Sequence, residues 1–162
     1  MPGPNALPLH PAVVHFPIAG AIFAAAALLL AVASPRARSA GVTSAALLLA
    51  AAIGGGLAAL VTGYFWADQQ GYLAGGWGPI PGPKAVEGLA QRHALLALAA
   101  VLLMAISLVL ALKSRRRGDT PILALLVALL ASALVAATGH VGGTMVHAPP
   151  VPGGEGVTTH SP

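Results

Sequence analysis

The stretch PAVVHFPIAGAIFAAAALLLAVAS, residues 11–34, decides the fold of this chain. It contains no Asp, Glu, Lys or Arg, and it is longer than the roughly 20 residues that an α-helix needs to cross the hydrocarbon core of a bilayer. A segment in lipid must satisfy its own backbone N–H and C=O groups, which a helix does within itself. Residues 11–34 are therefore predicted to form a transmembrane helix.

Three further apolar segments of the same kind follow along the chain, at residues 42–65, 87–112 and 121–140. The four segments predict an all-α membrane protein, a four-transmembrane-helix up-down bundle that occupies residues 11–147 as one domain. Residues 1–10 are then a short extracytoplasmic N-terminal segment, and the Pro/Gly-rich residues 148–162 are a flexible tail.

The composition excludes several other classes of protein. Hydrophobic residues make up 57% of the 162 residues and charged residues 7%, and the mean hydropathy is +0.84. A soluble domain carries roughly 25% charged residues, so this chain cannot build a water-facing surface. The basic residues lie in short clusters between apolar runs, which excludes a nucleic-acid-binding face. The absence of Cys excludes disulfides, iron–sulfur clusters and covalently attached c-type haem.

The loop charges predict the orientation in the membrane. Loops on one side carry six basic residues: Arg36, Arg38, Lys113, Arg115, Arg116 and Arg117. The opposite side carries only Lys84 and Arg92. Positively charged loops stay in the cytoplasm, so both termini and the central loop are expected to be extracytoplasmic.

The six histidines form the most informative pattern, because all of them fall on the extracytoplasmic side of this topology: His10, His15, His93, His140, His147 and His160. His15, His93 and His140 lie within or at the end of apolar helices, where a polar ring needs a partner. Ionisable groups inside a membrane span generally mark a functional site. We take these three histidines as the candidate site, and regard His10, His147 and His160 as interfacial residues.

A weak internal repeat relates the two halves of the chain. His15 and His93 both lie near the outer end of a helix, and the returning helices contain Thr62-Gly63 and Thr138-Gly139. The repeat predicts two equivalent helical hairpins in which His15 corresponds to His93.

The bundle geometry favours a haem. The first and third helices are diagonal neighbours, roughly 12–14 Å apart, which suits two imidazoles that bind one metal from opposite faces. We therefore predict that His15 and His93 are axial ligands of haem b, with His10 and His140 as alternates. His140 and Arg92 would bind the propionates. Gly63, Gly139 and Gly142 would clear space for a flat cofactor.

Two other functions fit the same fold. The histidines would also suit a single transition-metal ion such as zinc, copper or non-haem iron. Alternatively, the protein is a non-catalytic subunit whose glycine-rich helices dock in a larger complex or a homo-oligomer. The spans hold no nucleophile–base set, so the chain is not expected to be an enzyme on its own.

Two motifs carry a resemblance to a known family. Residues 10–18, HPAVVHFPI, and residues 138–146, TGHVGGTMV, resemble the opening and closing elements of a family of bacterial membrane proteins, domain of unknown function 2231. Gly63 with Asp68, and His93, also stand where that family has a Gly/Asp pair and a His. His147 stands where the family more often has Tyr. The resemblance implies location in the bacterial cytoplasmic membrane and association with c-type cytochromes or other redox proteins, and hence electron transfer.

Overall fold

The computed structural model describes residues 9–69 and 89–147. Within these ranges the chain is helical, and the turns that the structure describes are short. The helices are α1 (Leu9–Val13), α2 (His15–Ala33), α3 (Arg38–Gln69), α4 (Leu89–Arg117) and α5 (Ile122–His147). The N-terminal residues 1–8, most of the central loop and the predicted tail lie outside the described residues.

Four helical stretches are long and apolar enough to cross a membrane, which confirms the predicted fold class. They are Leu9–Ala33, Arg38–Trp66, Leu89–Arg117 and Ile122–Thr144. Each of the four spans runs beyond a predicted bound at one end at least, α4 by five residues to Arg117 and α5 by seven to His147. The reason is that a helix can continue through polar and glycine-containing turns after it has left the hydrocarbon region. Because those turns are not apolar, hydropathy does not mark where the helix ends.

α1 and α2 form one membrane span with an interruption at Val14. Pro17 lacks the N–H group that would donate to the carbonyl of Val13 in a continuous helix. The hydrogen-bond pattern is therefore interrupted at Val14, although this residue keeps right-handed helical dihedrals, with φ −62° and ψ −20°. α1 packs mainly against α3.

The helices pack as two antiparallel hairpins. α2 packs along α3, and α4 along α5, while α3 contacts α4 and α2 contacts α5. The first and third spans are therefore diagonal, as the up-down bundle requires. Close approach of α2 and α3 depends on small residues: a Cβ at Gly20 would lie 2.7 Å from that of Ala52. Small residues at helix interfaces are the usual means of close packing in membranes.

The buried core has the same pattern in both hairpins. Ala21, Ala24 and Leu28 in α2 recur at one constant offset as Met104, Ser107 and Ala111 in α4. Likewise, Ala45, Leu49 and Ala52 in α3 recur as Ala124, Ala128 and Ala131 in α5, and all twelve side chains are at most 1% exposed. The bundle is thus built from two similar helical hairpins. The one buried polar side chain among the described residues, Ser107, donates its hydroxyl to the carbonyl of Ala124.

Large apolar side chains cover the outside of the bundle, where they contact the bilayer. They include Ile22, Phe23, Leu47, Leu95, Leu102 and Leu130, each about half exposed or more. The α4–α5 turn is closed by Gly118, whose φ of 73° favours glycine.

The two ends of the bundle differ in the residues they carry. We call the end that carries His10 and His93 the histidine end. The end that carries Arg36, Arg38, Lys113, Arg115, Arg116 and Arg117 is called the basic end.

Candidate functional site

His10 lies in α1 with its ring against α3. Its Nδ1 atom is 3.0 Å from the carbonyl oxygen of Ala59 and 3.3 Å from the hydroxyl oxygen of Thr62. A carbonyl oxygen can only accept a hydrogen bond, so Nδ1 must carry the proton and donate it. In the neutral ring this leaves Nε2 with a free lone pair. α1 and α3 together therefore fix the tautomer of His10.

His93 makes the same contact in the second hairpin. It lies near the start of α4, and its Nδ1 atom is 3.0 Å from the carbonyl oxygen of Thr138 in α5. By the same reasoning Nδ1 donates and Nε2 keeps its lone pair. Both histidines are only partly exposed, and both present the same nitrogen as a potential ligand.

A glycine makes room for each ring. A Cβ atom built on Gly63 would lie 2.8 Å from Cε1 of His10, and one built on Gly142 would lie 3.0 Å from Cε1 of His93. In a helix each Cβ points back over the preceding turn, towards the carbonyl four residues earlier. Those carbonyls, of Ala59 and Thr138, are the ones that the rings bond. A side chain at either glycine would intrude on the ring.

The two halves of the site are therefore equivalent, each made of a histidine, a carbonyl and a glycine four residues after it. This equivalence makes His10 the counterpart of His93, whereas the sequence comparison paired His15 with His93. It also matches Gly63 with Gly142 rather than with Gly139. The repeat predicted from the sequence aligned the two Thr-Gly pairs with each other. Helix packing sets the actual register of the hairpins, and it pairs Gly63 with a residue three positions further along α5.

The two imidazoles meet across the diagonal of the bundle. Their ring centroids are 6.3 Å apart, with an angle of 74° between the ring planes. Trp66, from the far end of α3, stacks on His10 with ring centroids 6.2 Å apart and an interplanar angle of 23°. Three helices thus contribute aromatic rings to one cluster. We call its two imidazoles, those of His10 and His93, the histidine pair.

His15 has a different place. Its side chain is exposed, and its Nδ1 atom is 2.8 Å from the carbonyl oxygen of Pro11 in the preceding turn. Five residues turn a helix through about 140°, so His15 points away from the bundle when His10 points into it. The structure brings His93 together with His10 and not with His15.

The remaining predicted residues lie around the histidine pair without joining it. Arg92 and His140 are exposed. Nothing lies within 4 Å of a Cβ built on Gly139, whereas one built on Gly63 or Gly142 would meet a histidine ring. The side chains of Asp68 and His147, and all of His160, lie outside the described residues. Within the described residues, no three His, Cys, Asp or Glu side chains come together as a metal-binding group.

Sequence reasoning missed three parts of the site. The carbonyls of Ala59 and Thr138 carry no side-chain signal and could not have been found from sequence. Trp66 stacks on His10, whereas a tryptophan at the end of a span is usually an interfacial anchor. The inward position of His10 had one available signal, the five-residue spacing to His15, which places the two rings on different faces of a helix.

The fold and the site define a four-helix membrane protein with a histidine pair at one end of the bundle. The chain belongs to the family described as predicted membrane protein (DUF2231), whose model matches residues 6–151. This confirms the family that the terminal motifs indicated. No curated protein and no solved structure matches the chain.

Proposed function

We propose that His10 and His93 are the axial ligands of a b-type haem, and that the protein transfers electrons in the membrane. One observation carries the proposal: two imidazoles from diagonal helices lie 6.3 Å apart, each with Nδ1 bonded to a backbone carbonyl. The proposal keeps His93 from the sequence-based ligand pair and takes His10, the alternate, in place of His15.

The hydrogen bonds support a ligand role. Metal-binding histidines usually donate their second ring N–H to a carbonyl or carboxylate, which fixes the tautomer and the ring orientation. His10 and His93 both have this arrangement before any metal is considered. Two imidazoles bonded to one metal at about 2 Å each place their ring centroids about 6 Å apart, which agrees with the observed separation.

The number of ligands favours haem iron over a bare ion. A porphyrin supplies four donors, so two imidazoles complete a six-coordinate iron. A zinc ion takes four protein ligands in structural sites and three in catalytic sites. Among the described residues two histidines meet here, a number that suits haem.

The bound haem would supply one-electron redox chemistry. His10 and His93 would hold and orient it through Nε2, and the carbonyls of Ala59 and Thr138 would keep the rings in place. Arg92 immediately precedes His93 in the chain and is exposed at the same end of the bundle. Its guanidinium group would pair with a propionate carboxylate.

The proposal includes a location and a partner. The basic end would face the cytoplasm under the positive-inside rule, so the histidine pair would lie at the extracytoplasmic face of the bacterial inner membrane. A c-type cytochrome or similar redox protein, as the family resemblance implies, would exchange electrons there.

The test is an absorption spectrum of the purified protein and of three variants. We expect a Soret band and reduced α and β bands in the wild type, and their loss in His10→Ala and His93→Ala. His15→Ala is the matched control. His15 is exposed, so its replacement should leave the spectrum unchanged. Added imidazole should restore the band in the two ligand variants, which separates loss of a ligand from loss of folding. Purified protein with metal but no porphyrin, or loss of the band in His15→Ala alone, would overturn the assignment.

A further inference from the structure

The hydroxyl of Thr62 is a second polar contact of the His10 ring. Its oxygen lies 3.3 Å from Nδ1 of His10, and the carbonyl oxygen of Ala59 lies 3.0 Å from the same nitrogen. Both oxygen atoms come from one turn of α3, the helix against which α1 packs. Nδ1 of His10 therefore has two oxygen atoms within hydrogen-bond distance, although one is enough to fix its tautomer.

The hydroxyl of Thr62 accepts a hydrogen bond from the ring and does not donate one. It has a single hydrogen, which it donates to the carbonyl oxygen of Ala58, 2.9 Å away, as threonines in helices often do. The carbonyl oxygen of Ala59 is farther from the hydroxyl, at 3.3 Å. The lone pairs of the hydroxyl oxygen remain available, and Nδ1–H of His10 is a donor within reach. The proton of this nitrogen is thus shared between a carbonyl and a hydroxyl oxygen.

The second hairpin differs at this point. Its register matches Gly63 with Gly142. One residue earlier, Val141 therefore stands where Thr62 does. Valine resembles threonine in shape, but its side chain has no atom that accepts or donates a hydrogen bond. Among the described residues, His93 therefore has at this position no counterpart to the hydroxyl, and the two halves of the histidine pair are not chemically equal.

We propose that Thr62 is a positioning residue that makes His10 the stronger electron donor of the histidine pair. An acceptor for Nδ1–H makes a histidine more basic as a metal ligand, and the second acceptor adds to this effect. A more basic ligand stabilises the oxidised iron, so Thr62 lowers the reduction potential of the haem site. The effect on the potential rests on the proposed function, whereas the hydrogen bond to the ring does not.

The first experiment uses the full chain in detergent without cofactor, and follows the Nδ1–H protons of ¹⁵N-labelled histidines by NMR. Thr62→Val should move the Nδ1–H resonance of His10 upfield, because the proton loses an acceptor, and should leave that of His93 in place. Thr62→Ser keeps the hydroxyl and should keep the wild-type resonance. Thr43→Val is the matched control on the same helix, since that hydroxyl donates to the carbonyl of Ser39, 2.9 Å away.

The second experiment measures the reduction potential of the haem-loaded protein by redox titration of its absorption spectrum. Thr62→Val should raise the potential by about 30 mV, which is about a threefold change in the ratio of reduced to oxidised haem at about 59 mV per tenfold for one electron. The shift is modest because the contact is the longer of the two at Nδ1. Thr62→Ser and Thr43→Val should both keep the wild-type potential.

The two measurements separate failure of this inference from failure of the proposed function. An unchanged His10 resonance in Thr62→Val, or an equal shift in Thr62→Ser or Thr43→Val, overturns the role of Thr62 whether or not haem binds. A shifted resonance with an unchanged or lowered potential overturns the effect on the haem. A wild-type protein that binds no haem overturns the proposed function, while a shifted resonance still shows that Thr62 bonds the ring.

Discussion

The imidazole of His10 occupies the space that a side chain on Gly63 would need. A Cβ atom built on Gly63 would lie 2.8 Å from Cε1 of the His10 ring. This contact links α1 to the histidine end of α3, beside the carbonyl of Ala59, whose oxygen lies 3.0 Å from Nδ1 of His10. The glycine is thus required by the ring that packs on it, and the ring position depends on a residue far away in the sequence.

Gly63→Ala should displace the His10 ring while the bundle stays folded. The added methyl group cannot share its position with Cε1, and a side chain moves more easily than a helix backbone. We expect the spectral signature of the histidine pair to weaken and the unfolding free energy in detergent to fall by about 1 kcal/mol or less. Gly54→Ala is the control on the same helix, because nothing lies within 4 Å of its Cβ position. If both variants behaved alike, the contact with His10 would have no role.

In the second hairpin, Gly142→Ala and Gly139→Ala should differ. A Cβ on Gly142 would lie 3.0 Å from Cε1 of His93, whereas one on Gly139 would meet nothing. We expect Gly142→Ala to perturb the His93 ring, measured by the ¹⁵N chemical shifts of its imidazole, and Gly139→Ala to leave them unchanged. Both glycines belong to one short motif, so a larger effect at Gly139 would contradict the register described above.

Leucines on the two faces of α3 should differ in their contribution to stability. Leu49 is fully buried in the bundle, whereas Leu47 is 69% exposed on its outer surface. Lipid is as apolar as leucine, so truncation costs stability mainly where it leaves a cavity. We expect Leu49→Ala to lower the unfolding free energy by about 2 kcal/mol and Leu47→Ala by less than about 0.5 kcal/mol. Thermal or denaturant unfolding in the same detergent measures both, and similar values would contradict the core assignment.

Cysteine labelling tests the orientation, since the chain contains no Cys of its own. A membrane-impermeant maleimide should label Arg92→Cys in intact cells, because the histidine end is expected to be extracytoplasmic. Asp119→Cys, exposed at the basic end, should be labelled only after the membrane is permeabilised. The reverse pattern would place the histidine pair in the cytoplasm and exclude an extracytoplasmic redox partner.

The amino-acid sequence by itself determined the fold class, the number of spans and the family. Uncharged apolar runs such as residues 11–34 must be helices in lipid, and four such spans in one chain predict a helical bundle. It also indicated that histidines at one end of the bundle, His93 among them, deserve a functional explanation.

Only the tertiary structure decided which histidines meet. His10 and His15 are five residues apart, and hydropathy cannot tell which of them faces the bundle, because both are polar residues at the edge of an apolar run. Packing of α1 on α3 settles it, since Gly63 leaves space for one ring and the carbonyl of Ala59 accepts its hydrogen bond. Contacts between residues distant in sequence are set by the register of one helix on another, which local residue patterns do not specify.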